Sequence, residues 1–168
     1  MILGGVDEAG RGCVLGPLAV AGVSIESERL AELEGIGVRD SKQLTPKQRE
    51  ALYPEIMRIC KAVSVSRIPP KMIDLYVSRG KKYRRLNYLE TIHMARVIDT
   101  LQAHEVFVDA PDVNPTRFKS ELEELLSCKP RIIAEHKADV NYAVVSAASI
   151  IAKVERDRAV EEREEEPP

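Results

Sequence analysis

Tryptophan is absent and aromatic residues make up only 4% of the chain. The stacking platforms on which single-stranded nucleic acids are commonly held therefore have little to be built from. Cysteine is scarce too: Cys13, Cys60 and Cys128 are scattered, odd in number and lack a Cys-x-x-Cys spacing. That argues against a zinc site and a disulfide framework, and it fits a reducing cytoplasm. No apolar run is long enough to span a bilayer, and the N-terminus shows no basic segment followed by an apolar signal core. What is present is a chain of 168 residues, 44% hydrophobic and 31% charged, enough for one domain with a substantial core.

The formal net charge of −2 hides an uneven distribution. Between Arg39 and Arg85 there are thirteen lysines and arginines against four acids, whereas from Glu155 onward seven acids face three arginines. A basic middle on a nearly neutral chain is the electrostatic footprint of a polyanion-binding surface.

The chain is organised around Val6-Asp7-Glu8-Ala9-Gly10-Arg11-Gly12. Its flanks are β-branched, small and glycine-punctuated, which predicts two buried strands joined by a glycine turn. Two adjacent acids at the end of a buried strand are costly unless something pairs them. Alternation along the strand lets only one of them point straight into a site. A divalent cation, which takes oxygen ligands, would draw in both. Arg11 between two glycines adds close backbone approach and a phosphate-suited guanidinium. The bland alternative is a glycine-rich hairpin carrying a solvated acidic pair.

Further on, the pattern predicts a short helix over 26–34, a polar loop over 38–42, and a helix over 46–59 opened by a Thr45/Gln48 capping box with Pro46 at its first position. A half-exposed strand over 62–68, a short helix over 70–77, a basic connector over 79–85 and a long helix from Leu86 follow. Asn87 sits near the start of that long helix, placed to face a ligand or to help cap the end. The apolar run 105–109 ends on Asp109, and an acid at the carboxyl end of a buried strand is where open α/β sheets place their sites. A helix over 116–127, a strand over 131–134 and the charged run 135–139 lead to a last helix from about Tyr142. Apolar residues cover most of that helix's circumference, so it should be buried. Tyr142, Ser146, Ser149 and Lys153 fall on one of its stripes. A buried lysine is expensive, so the stripe should face a polar cavity, although small residues that permit close helix packing would explain the serines equally well.

Four acids, Asp7, Glu8, Asp109 and Asp139, thus lie at two strand ends and a helix start, carried on apolar elements that must pack together. Such a cluster suits two-metal phosphoryl hydrolysis, in which cations roughly 3.5–4 Å apart stabilise the attacking and leaving oxygens.

Asp7-Glu8-Ala9-Gly10-Arg11-Gly12, Gly16-Pro17, Asp40-Ser41-Lys42, Val108-Asp109-Ala110, His136-Lys137-Ala138-Asp139 and Ser146-Ala147-Ala148-Ser149-Ile150-Ile151-Ala152-Lys153 occur in that order. In this the chain resembles ribonuclease HII of the archaeal type over residues 1–158. The resemblance implies an α/β, ribonuclease H-like fold, a central mixed five-stranded sheet flanked by helices. It implies an endoribonuclease that cuts the RNA strand of RNA–DNA hybrids, and duplex DNA at embedded ribonucleotides, leaving 3′-hydroxyl and 5′-phosphate ends. It implies a monomer serving DNA replication and repair, with Mg2+ or Mn2+ held by Asp7, Glu8, Asp109 and Asp139. Gly10, Arg11 and Gly12 would grip the backbone and sense the 2′-hydroxyl that separates RNA from DNA. Ser41, Lys42 and Asn87 would contact the nucleic-acid backbone, and Ser146, Ser149 and Lys153 would line the site.

Family members continue beyond this helix into a segment carrying a substrate-sensing tyrosine. Here the expectation is a catalytic domain over 1–158 and an acidic tail over 159–168, with hybrid cutting retained and junction discrimination reduced. Two other readings compete: a nuclease on the same fold that cuts DNA without ribose dependence, and a module that binds hybrids without cutting them.

Overall fold

The computed structural model describes residues 1–10, 17–77, 82–111 and 114–165. Arg11, Gly12 and residues 79–81 of the basic connector lie outside the described residues. Five strands form one mixed sheet: β1 (Ile2–Ala9), β2 (Leu18–Glu26), β3 (Ala62–Ile68), β4 (Glu105–Asp109) and β5 (Arg131–Glu135), in the order β3-β2-β1-β4-β5. β2 is antiparallel to both β1 and β3, while β1, β4 and β5 run parallel. The expected architecture is therefore the observed one.

The helices are α1 (Leu30–Gly35), α2 (Pro46–Ile59), α3 (Pro70–Val77), α4 (Lys82–Leu101), α5 (Pro115–Leu125), α6 (Ala138–Asn141) and α7 (Ala143–Glu165), with 3₁₀ turns at Ser27–Arg29 and Val38–Gln43. The sheet separates two cores. On one face, α7 packs with Ile56 and Ile59 of α2 against Ala21, Val23 and Ile25. On the other, Leu89, Met94, Val97, Ile98 and Leu101 of α4 and Phe118 and Leu122 of α5 cover Val6, Val20, Val106, Val108 and Ile132.

Close contact between β1 and α7 depends on Gly5. A Cβ there would lie 2.3 Å from the backbone of Val144, an impossible approach. The helix that sequence marks as apolar all round is accordingly sunk onto the strand that carries the acidic pair; Val145, Ala147, Ala148, Ile150, Ile151 and Ala152 are fully buried.

Local chemistry decides most of the ends. Thr45 and Gln48 form the expected reciprocal cap on α2, with Pro46 in its first turn. Asn114 caps α5 by accepting from the Arg117 amide at 3.1 Å. Three expectations need correcting. The helix over 26–34 starts later, because β2 stays paired through Glu26 with Ile2 and one 3₁₀ turn precedes α1; sheet pairing overrides local helix preference. The loop over 38–42 is a 3₁₀ turn, and α4 begins at Lys82, inside the segment expected to be connector. α7 itself continues unbroken through residue 158 to Glu165.

Candidate metal centre

The parallel half of the sheet brings the acids together. Val6 pairs with Val108 in the β1/β4 register, so the next residues along, Asp7 and Asp109, occupy equivalent positions on neighbouring parallel strands and share a face. It is the face of Gly5, on which α7 lies. Alternation turns Glu8 to the other side of the pleat, but at the end of the strand its side chain still borders the same cavity.

Asp139 arrives by a different route. Beyond β5, Lys137 adopts a left-handed conformation (φ 58°), which turns the chain into α6 with Asp139 in its first turn. A non-glycine residue pays a conformational penalty there, and the result is a third carboxylate delivered to the carboxyl edge of the sheet. Oxygens of Asp7, Asp109 and Asp139 all lie within 4.8 Å of one another. Asp7 and Asp139 are buried, at 6% and 5% exposure.

Ionised carboxylates so close, and so far from water, repel one another. Burial first, then the charges of Glu8, Asp109 and Asp139, hold the Asp7 carboxyl well above its ordinary range. Its Oδ1 accepts the Glu8 amide at 2.8 Å, which offsets only part of this. Burial and the neighbouring Asp139 push Asp109 up to about 6. Positive charge is supplied at the rim, where Lys42 Nζ lies 3.6 Å from Asp139 Oδ2. Lys153 enters from α7, its ammonium held below its ordinary range by burial and by Arg49, with Asp7 and Asp139 pulling the other way.

These groups surround an open cavity of about 500 Å3 bordered by Asp7, Glu8, Lys42, Asp109, Asp139 and Lys153, with Ser149, His136 and Lys137 completing its wall. The donor set is all oxygen, and its charge is uncompensated within the cluster. A hard divalent cation such as Mg2+ or Mn2+ fits that chemistry, whereas a thiophilic metal would find no sulfur around this cavity among the described residues.

Of the residues singled out from sequence, the fold thus gathers Asp7, Glu8, Asp109, Asp139, Lys42, Ser149 and Lys153 around one cavity. Gly10, with φ of 103°, lies just past β1 and borders an adjoining cavity. Others are placed elsewhere. Ser146 is fully buried and donates its hydroxyl to the Val38 carbonyl, so it joins α7 to the 3₁₀ turn. Ser41 is buried in that turn. Asn87 is half-buried on α4, where its backbone carbonyl accepts from the Thr91 hydroxyl at 2.7 Å. His136 and Lys137 also border the cavity, and the sequence signal for them is their position between a strand end and a site acid.

A ribonuclease H-like sheet with a carboxylate cluster at its parallel edge defines a metal-dependent phosphodiester hydrolase. Comparison with known proteins narrows the class. The family model for Ribonuclease HII matches residues 4–168. Ribonuclease HII of Cenarchaeum symbiosum is 48% identical over 161 residues, covering 96% of this chain and 76% of the relative. Among solved structures, ribonuclease H2 from Pyrococcus horikoshii superposes with a TM-score of 0.88 at 41% identity, over 99% of this chain and 77% of the other. Bst-RNase HIII, crystallised in complex with Mn2+, shares the fold with a TM-score of 0.83 at 22% identity, over 96% of this chain and 54% of that one. The chain belongs to the ribonuclease HII family. Its activity is that of a ribonuclease H, a metal-dependent hydrolase acting on nucleic acid.

Proposed function

We propose that this protein cuts the RNA strand of RNA–DNA hybrids, and duplex DNA at embedded ribonucleotides, by in-line attack of water on phosphorus that leaves 3′-hydroxyl and 5′-phosphate ends. The observation that carries this reading is the convergence of Asp7, Asp109 and Asp139 within 4.8 Å at the mouth of an open cavity. Those three and Glu8 would hold Mg2+ or Mn2+. When bound, the cations would supply Lewis-acid stabilisation of the charge that develops on the attacking and leaving oxygens.

The chain's own residues would do the rest. Asp7 and Asp139 are rigidly placed by a strand and by a helix start, so the ligand set is preorganised. Lys42 and Lys153 bring positive charge to the cavity, where a phosphate diester would otherwise meet the repulsion of four carboxylates. Ser149, buried on α7, lines the wall with a hydroxyl. Gly10, Arg11 and Gly12 would follow the backbone and sense the 2′-hydroxyl, with Ser41 and Asn87 supporting the nucleic-acid surface from neighbouring segments. Residues 1–158 would form the catalytic unit. Residues 159–165 beyond them extend α7, and Glu162 there meets Arg67 of β3 at 2.8 Å. The protein would act as a monomer in the cytoplasm. Among the described residues no helix is long and apolar enough to cross a membrane.

Matched RNA–DNA, DNA–DNA and single-ribonucleotide duplexes, each with and without Mg2+ or Mn2+, test the reading. Metal-dependent cutting confined to duplexes containing ribose, with 3′-hydroxyl products, is expected. Cutting of the all-DNA duplex would mean a nuclease blind to ribose, and tight binding without cutting would mean a hybrid-holding module.

A further inference from the structure

A second cavity, of about 460 Å3, adjoins the carboxylate cavity and shares Glu8 and Lys153 with it. Its remaining border includes Gly10, Arg49, Arg156 and Asp157. Three cations from two helices therefore meet there. Lys153 and Arg156, three residues apart on α7, share a helix face, and Arg49 approaches from α2. Arg49 is fixed in place: its Nη1 donates to the Leu44 carbonyl at 2.8 Å and its Nη2 lies 3.4 Å from Asp157. The Nε atoms of Arg49 and Arg156 are both buried and have no hydrogen-bond acceptor among the described residues. A buried guanidinium N–H without an acceptor is costly. Gly10 keeps one wall bare, since a Cβ there would lie 2.5 Å from the Pro17 carbonyl oxygen and 2.8 Å from Arg156 Nε. Crowding of like charge is also felt at Lys153, whose ammonium Arg49 helps to hold down.

We propose that this second cavity is a phosphate subsite that takes the backbone phosphate next to the one being cut, on the cleaved strand, with Arg49, Lys153 and Arg156 as its donors. Guanidinium groups suit a phosphate's paired oxygens. The shared border of Glu8 and Lys153 makes the two phosphates neighbours along one strand. The phosphate would accept from the guanidinium groups and the ammonium that border the cavity and would hold that strand against the carboxylate cavity. The proposal rests on the carboxylate cavity being the place of cutting.

Neutral methylphosphonates placed one at a time along the RNA-containing strand of a hybrid, with binding measured for the full chain without divalent metal, test it. In the parent, one substitution beside the cut position should weaken binding roughly tenfold. Arg156→Gln should bind the unmodified hybrid more weakly by a similar factor and lose its sensitivity at that one phosphate, while Arg156→Lys keeps part of it. Arg49→Gln provides the same reading if Arg156→Gln melts or folds differently from the parent. If both glutamine variants stay as sensitive as the parent to every neutralised phosphate, the arginines are structural and the subsite is refuted. The cutting assignment is read separately: persistent cleavage by Asp7→Asn would overturn the carboxylate cavity as the place of cutting and leave the Arg156 coupling to be judged on its own.

Discussion

Asp7 and Asp109 stand side by side at the ends of the parallel strands β1 and β4, one residue beyond the Val6–Val108 pair. That register creates the site and also its instability without a cation, because adjacent strands hold the two carboxylates close together where burial keeps water from screening them. Asp7→Asn or Asp109→Asn should lower turnover by on the order of a thousandfold or more. In metal-free protein, the same substitutions should raise the melting temperature. For a chain of this size, each kcal/mol of relieved repulsion corresponds to about 2–4 °C. Calorimetry and a cleavage assay check both halves, and a variant that cuts normally would remove that acid from the ligand set.

The pH dependence has a definite sign. Asp109 has a native value of about 6 against an ordinary value of 3.8, and Asp7 is raised as well. Between those values the native state holds protons that the unfolded chain has released, so stability is lost as pH rises through about 6. Carboxylates held low by partners, such as Glu155 beside Tyr53 and Arg67, act in the opposite direction. The clean measurement is therefore a difference. The melting-temperature gain of Asp109→Asn over the parent should be small near pH 4, grow up to about pH 6.5 and shrink when Mg2+ is added. A gain independent of pH would contradict the coupled-carboxylate account.

Much of this was legible in sequence because it is written locally. Apolar runs that end on Asp7 and Asp109 announce strand ends, Thr45 and Gln48 announce α2, and the all-round apolar surface of α7 announces burial. The corrections concern what lies between elements. The segment after β2 has helical character of its own, yet Glu26 stays in the sheet because Ile2 pairs with it. Ser146 and Ser149 share a stripe on α7, but the Val38 turn covers one and leaves the other at the cavity. Arg49 and Arg156 are separated by more than a hundred residues, and no local pattern announces that they share a wall.

Ser146→Ala should behave as a packing variant. Removing the hydroxyl deletes its buried hydrogen bond to the Val38 carbonyl, at a cost of about 0.5–1.5 kcal/mol, with hybrid binding and turnover close to the parent's. Ser149→Val should do the reverse, with binding disturbed more than stability. Thermal melting alongside binding isotherms separates the two, and a Ser146→Ala protein of parental stability but weakened binding would place that serine at the nucleic acid.

Lys42 is exposed at the rim beside Asp139. Lys42→Ala should weaken hybrid binding and reduce the slope of log affinity against log salt by about 0.7–0.9, the release from one phosphate contact. An unchanged slope would confine Lys42 to balancing Asp139 and deny it a phosphate.

The central claim is that the carboxylate cavity cuts a strand only where ribose is present and only with a divalent cation. The direct measurement is cleavage of two duplexes of one sequence, RNA–DNA and DNA–DNA, by the parent and by Asp7→Asn, with Mg2+ and with chelator. The account predicts cutting in one combination alone, parent with Mg2+ on the RNA-containing duplex. Cutting that survives Asp7→Asn or chelation, or that proceeds equally on the all-DNA duplex, would contradict it.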